Sequence, residues 1–276
     1  MILAKDNILM IKGRKMENTI DTTQIDFEVQ TEGVYRSNLK IVPDRVLVIR
    51  PDTGDILGLV SSRYKIKTHA EVVKAFDENP LLVQTGATVC KKGAVMFAHY
   101  EILENGKPLE REIKVGDTVK YMIRAFNSYD GSMPAGFELY GYRLACKNGM
   151  MVPKTLRYFS AKHFDKTLKD FDQQLVAVKE NIEQITNRWK IWTTTKTTPT
   201  RINDYLNSVN MGNKLRETLL EDCVAENMQN GLWGVYNRMT AYITHEMKSR
   251  EEQNLALSQR VRETEWLDKF YAFAWN

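Results

Sequence analysis

Val119-Lys120-Tyr121-Met122-Ile123-Arg124-Ala125-Phe126-Asn127-Ser128-Tyr129-Asp130-Gly131-Ser132 is the stretch on which the fold turns. Residues 119–126 are rich in β-branched and aromatic side chains, which read as a strand. Asn127 to Ser132 is a run of turn formers, with Gly131 able to take the positive φ that a tight hairpin demands. Phe137 to Cys146 returns as the partner strand, and Asn148-Gly149 closes the sheet.

Working outward, Val115-Gly116-Asp117 is a turn that launches the first of these strands. Before it, Gly93 to Leu103 carries Val95, Phe97 and Ile102 and reads as another strand. Residues 45–60 form a hairpin: Val46-Leu47-Val48-Ile49, the turn Pro51-Asp52-Thr53-Gly54-Asp55, then Ile56-Leu57-Gly58-Leu59-Val60. Between them, Ala70, Val73 and Phe76 at helical spacing predict a short helix over 68–77, ended by Asn79-Pro80.

Beyond the sheet the period changes. Phe164, Leu168, Phe171, Leu175, Val178, Ile182, Ile185, Trp189 and Trp192 alternate steps of four and three, predicting one long helix over 162–192. Its narrow stripe either lies across the sheet or makes a subunit contact. Thr193-Thr194-Thr195-Lys196-Thr197-Thr198-Pro199-Thr200 is the clearest break and reads as a linker or exposed loop. Helices follow over 214–228 and 232–247, separated by Gly231, and a last one carries Leu257, Val261, Trp266 and Phe270. The expected fold is α+β: a curved antiparallel β-meander backed by the long helix, then a helical C-terminal region. The β-rich part covers 1–160 and the helical part 161–276, the two read as one integrated domain.

Composition narrows the function classes. The 276 residues are 43% hydrophobic and 27% charged, with formal charge +4. That length buries a substantial core, and the mild basicity permits a nucleic-acid partner without demanding one. No apolar run approaches the roughly 20 residues of a membrane span. Cys90, Cys146 and Cys223 are odd in number and widely separated, which suits a reducing cytosol better than disulfides or zinc.

Catalytic patterns are thin. His69, His99, His163 and His245 stand far apart, each without a metal-ligand neighbour at the usual spacing. Phosphate-binding glycine loops and a nucleophile elbow are both absent from the sequence. Asp52 and Asp55 with Glu112 and Lys114 resemble fragments of a magnesium-dependent nuclease, in which carboxylates converge on the ion and lysine polarises water. The basic residues say more. On a strand, Lys120, Met122, Arg124 and Phe126 share a face. Arg143, Lys147, Lys154 and Arg157 follow, with Tyr158 and Phe159 among them. Cations interleaved with rings are what a single-strand groove requires, although a solvated rim would read the same way. Tyr129, at the hairpin tip, could stack on a base.

Arg50-Pro51-Asp52-Thr53-Gly54 through Gly58-Leu59-Val60-Ser61-Ser62-Arg63-Tyr64, Gly116-Asp117 and Asn127 to Ser132 occur in an order found elsewhere. Tyr142-Arg143-Leu144-Ala145-Cys146-Lys147-Asn148-Gly149 and Leu232-Trp233-Gly234-Val235-Tyr236-Asn237 complete it. Together these resemble the phage/plasmid-like family known as domain of unknown function 932. The chain departs from it at Tyr129, where that resemblance leads one to expect histidine. Tyrosine neither transfers protons nor binds metals readily near neutral pH. The resemblance implies the cytoplasm of a bacterial host. The order of elements is similar to the β-β-β-α core of single-strand annealing proteins of the Rad-fifty-two type. The reading is a cofactor-free, homo-oligomeric protein that binds and anneals single-stranded DNA without ATP. A protein-interaction factor is the alternative, and the nuclease is the third reading.

Overall fold

The computed structural model describes residues 24–152, 158–160, 171–249 and 251–275. Its strands are β1 (Gln30–Tyr35), β2 (Ile41–Arg50), β3 (Asp55–Ser61), β4 (Leu82–Cys90), β5 (Val95–Glu104) and β6 (Lys107–Pro108). They continue with β7 (Glu110–Lys114), β8 (Asp117–Ser128), β9 (Gly136–Arg143), β10 (Asn148–Met151) and β11 (Tyr158–Ser160). Helix α1 (His69–Asp77) sits among the strands; α2 (Phe171–Trp192), α3 (Pro199–Ser208), α4 (Asn213–Ala241), α5 (Leu255–Arg262) and α6 (Asp268–Trp275) follow them. The fold is α+β. One antiparallel sheet has the order β1-β2-β3; the other runs β10-β9-β8-β5-β4, with β6, β7 and β11 added at its flanks.

The chain divides into two compact units. The first takes the chain up to Leu109 and Ile123–Glu138; the second takes Glu110–Met122, Leu139–Tyr158 and the chain from Lys169. In the first unit, α1 starts at a capping box, Thr68 Oγ1 accepting from the Glu71 amide and Glu71 Oε2 accepting from Thr68 N. That reciprocal pair satisfies donors that a helix start leaves orphaned. Phe76 of α1 then packs on Tyr100 and Phe137, with ring centroids 5.4 and 5.6 Å away.

The second unit is organised by α2. Val178, Ile182, Ile185, Trp189 and Trp192 are all buried, so the described part of the apolar seam is internal core. Of the two readings of the stripe, these five residues follow the first: they pack inside the chain. Phe164 and Leu168 lie outside the described residues. Trp189 stacks on Tyr121 at 5.9 Å and donates Nε1–H to Tyr271 Oη. Gly141 of β9 makes room for this, since a Cβ there would come within 2.9 Å of Val119 and 3.1 Å of the Trp189 ring.

The threonine-rich break is a partly exposed loop between α2 and α3, as expected, and it is tied down along its length. Thr193, Thr194 and Thr195 turn their hydroxyls back onto the last carbonyls of α2, and Thr198 caps α3, whose first residue is Pro199. Asn227 clasps the Thr197 backbone on both sides, and Leu232 N donates to Thr195 O. A polar, β-branched run reads as a break because threonine competes with helix locally. Here that same competition ties off two helices.

Candidate functional site

The turn after β8 is buried at its root, over Asn127, Ser128 and Tyr129, and exposed at Gly131 and Ser132. Tyr129 is fully buried, which corrects the expectation of an exposed stacking ring. Its ring lies 4.1 Å from that of His69 and edge-on to Phe27, and its hydroxyl accepts from His69 N at 2.9 Å. Burial pushes the phenol up to about 12. His69 is locked as well. Its Nε2 meets Gly93 O at 2.8 Å and its Nδ1 meets the Asn127 amide nitrogen at 3.0 Å. Those partners require a proton on Nε2 and none on Nδ1, and burial lowers the imidazole to about 4. Gly131 adopts φ 71°, the left-handed value the turn demands. Gly58 of β3 lies so close that a Cβ would sit 2.8 Å from Tyr129 O and 2.5 Å from Asp130 Cα. The motif is a structural knot, and its polar groups are consumed within the chain.

The cations separate into three kinds. Arg124 is buried and pairs with fully buried Glu138 at 2.6 Å, while Arg143 makes a two-pronged pair with Asp117 at 2.6 and 2.7 Å. Both were expected to line a strand-binding groove; in this structure each neutralises an internal carboxylate. Isolated charges are too costly to bury, so the sheet brings them together in opposite-sign pairs. Lys120 is half-buried, in register with Glu110 of β7. Lys154 and Arg157 lie outside the described residues. Lys147 alone of these six cations is both described and exposed.

The residues of the nuclease reading each have other work. Asp52 pairs with Arg50 and Asp55 with Lys92 in the first unit. Glu112 accepts from Gly116 N, and Lys114 donates to Asn230, in the second. Among the described residues, no group of three or more His, Cys, Asp or Glu is placed to hold a metal ion. No helix among them is long and apolar enough to cross a membrane.

In the second unit, three of the motifs quoted above meet. Asp117 opens β8, Arg143 ends β9, and Trp233 of α4 donates Nε1–H to the same Asp117 carboxylate at 2.8 Å. Burial pulls the Arg143 guanidinium down, but the Asp117 carboxylate outweighs it and holds the group above its ordinary value. Arg143 also donates to Cys146 Sγ at 3.2 Å. Asn148, buried at the start of β10, reaches Asn237 O and Thr240 Oγ1. His245, from the turn after α4, points Nε2 at Cys146 O and Asn148 Oδ1. The hairpin Arg143–Asn148 is thus anchored at both roots, and its tip carries Lys147 at φ 56° into solvent.

The model for Domain of unknown function (DUF932) matches residues 56–265. The chain belongs to that family. No curated protein and no solved structure matches it. The family's matched span contains both the Tyr129 knot and the Asp117–Arg143–Trp233 anchor.

Reading residues one at a time missed His69, Asp117, Glu138, Trp233 and His245. Each lies far along the chain from a partner except Glu138, which is simply the cross-strand neighbour of Arg124 in a hairpin. That one signal was present: a carboxylate eleven residues past the start of a turn, on the face already assigned to the arginine. Chemically, the anchored hairpin offers a cation, an exposed imidazole and a half-buried thiol. Because His245 directs Nε2 at the Cys146 carbonyl, the contact orients the backbone and does not activate the sulfur. The arrangement suits holding an anion more than breaking a bond.

Proposed function

We propose that the protein binds single-stranded DNA without ATP and promotes its annealing, in the cytoplasm of a bacterium that carries the phage or plasmid encoding it. The observation that carries the reading is Lys147. A left-handed backbone costs an L-residue with a Cβ roughly 1–2 kcal/mol, a cost that glycine avoids and asparagine softens. Lysine gives this hairpin tip nothing in return within the fold: among the described residues its ammonium has no ion-pair partner. A strained cation held at a rigid tip is spent on something outside the chain. Phosphate is the partner that suits a mildly basic protein of this kind. Arg143 then acts as a positioning residue, and Lys120, Lys154 and Arg157 remain the further cations of the groove.

The test is a fluorescence-polarisation titration of labelled single-stranded and duplex DNA across a salt series. Affinity for single strands falls with a log–log slope of about −0.7 for each phosphate contact. Lys147→Gly weakens binding to all sequences and lowers the slope by about that amount, while leaving stability equal or higher by ~1 kcal/mol because the strain is relieved. Unchanged affinity in this folded variant removes Lys147 from the contact and, with it, the support for this reading.

A further inference from the structure

The sheet β1-β2-β3 has two apolar faces, and the described residues cover only one of them. Val48, Leu57 and Val60 point inward, joined by Val46, and pack with Ala94 and Tyr129. Alternation sends their neighbours the other way. Leu47 is in register with Leu59, and Ile49 with Ile56. The irregularity beside Val48 absorbs Leu57 as an extra inward residue, which keeps Ile56 and Leu59 together on the outer face. Ile56 is 61% exposed and Leu59 53%. Glu32 of β1 stands opposite Leu47, and Arg45 opposite Ser61, so both belong to this outer face. Both are exposed, and neither has an ion-pair partner among the described residues.

We propose that this face packs against the same face of a second copy of the chain, sheet on sheet, about a two-fold axis. A two-fold contact is self-complementary: where residue i of one copy meets j of the other, j meets i. An aliphatic quartet flanked by a carboxylate on one strand and a guanidinium on the next has that property. Glu32 of each copy faces Arg45 of the other while the leucines and isoleucines interdigitate. The composition disfavours a nucleic acid here, because the quartet has no ring to stack on a base and Glu32 repels phosphate. Size sets the strength. A ten-residue central strand is ~33 Å long and three strands span ~15 Å, a footprint of ~500 Å². Standard interfaces bury about 800 Å² per partner, so this contact belongs to the small, transient class. The contact is independent of the Lys147 reading.

Sedimentation velocity of the full chain over a broad concentration series tests it. The wild type passes from monomer to dimer as concentration rises. Leu59→Glu raises the dimer dissociation constant at least about tenfold, with an unchanged melting curve. Glu32→Arg weakens the dimer as well, and adding Arg45→Glu to it restores the association. A monomer at every concentration overturns the proposal. So does a dimer indifferent to Leu59→Glu, or a charge swap that fails to restore what the single reversal lost.

Discussion

Tyr129 shows how much a single residue's role depends on what surrounds it. A hairpin tip has little core to fill, and by that logic the ring is free for a ligand. Here β8 runs on to Ser128, so the turn begins later and Tyr129 lands between His69 and Phe27. Tyr129→Ala therefore opens a cavity in the first unit and costs about 3–5 kcal/mol. Tyr129→Phe keeps the packing but leaves His69 N without its acceptor, costing about 1–3 kcal/mol. Urea denaturation of the two variants separates packing from hydrogen bonding. Near-wild-type stability for Tyr129→Ala would return the ring to the surface role. Lys147 is the opposite case: its φ marks it as strained, and the contacts around it leave that strain unexplained from within.

At the scale of elements, the decisive feature is the interruption of α4 at Gly231. With φ 63° and ψ −155°, this residue occupies a region that is essentially glycine's alone. A Cβ there would lie 2.5 Å from both Trp192 O and Thr195 O, the carbonyls at the end of α2 and the loop after it. Gly231→Ala is expected to lose about 3 kcal/mol or more, combining backbone strain with a clash against main-chain atoms that cannot yield. Lys196 works at the same junction from the other side, its ammonium meeting Asn227 O and Met228 O at 2.8 and 2.6 Å. A cation at helix-end carbonyls is worth about 0.3–1 kcal/mol. Lys196→Met should thus cost far less than Gly231→Ala in thermal melts. Equal costs would mean that the junction depends on the charge and not on the close approach.

At the scale of the molecule, acid should unfold the protein earlier than its carboxylates alone would. His69 is held neutral, with its pKa lowered to about 4 by burial, against ~6.5 in an unfolded chain. The sign follows from which state takes the proton first. Above pH ~6.5 the residue is neutral in both states and its contribution is intact. Between ~6.5 and 4 only the unfolded chain is protonated, so stability falls through that window, by roughly 3 kcal/mol in all. His99 is lowered to about 4 as well, by burial first and by Arg124 second, and its partly accessible edge makes its share smaller. Denaturation free energies measured from pH 7 to 4 should show this fall, and His69→Gln should flatten it. A wild-type profile that stays level down to pH 4.5 would contradict the buried neutral imidazole.

Local chemistry by itself determined the hairpin at β2 and β3, the helix α1, strands β5, β8 and β9, the apolar stripe of α2 and the stop at Gly231. In each of these the signal is periodic or a turn dipeptide, and neighbours in sequence settle it. Local signals did not reveal β4, whose alternation is broken by a register shift at Gln84–Gly86, or β7, which is almost entirely charged. Asn148-Gly149 looked like the end of the sheet but opens β10, in register with Arg143 and Tyr142. The fate of the charges lay further still from the sequence. Which arginine meets solvent and which meets Glu138 or Asp117 depends on what covers the sheet, and that is assembled from segments more than a hundred residues apart, as Trp233 and Asp117 show. Burial makes an unpaired charge intolerable, so tertiary structure decided that Arg124 and Arg143 serve the fold and that Lys147 is left facing out.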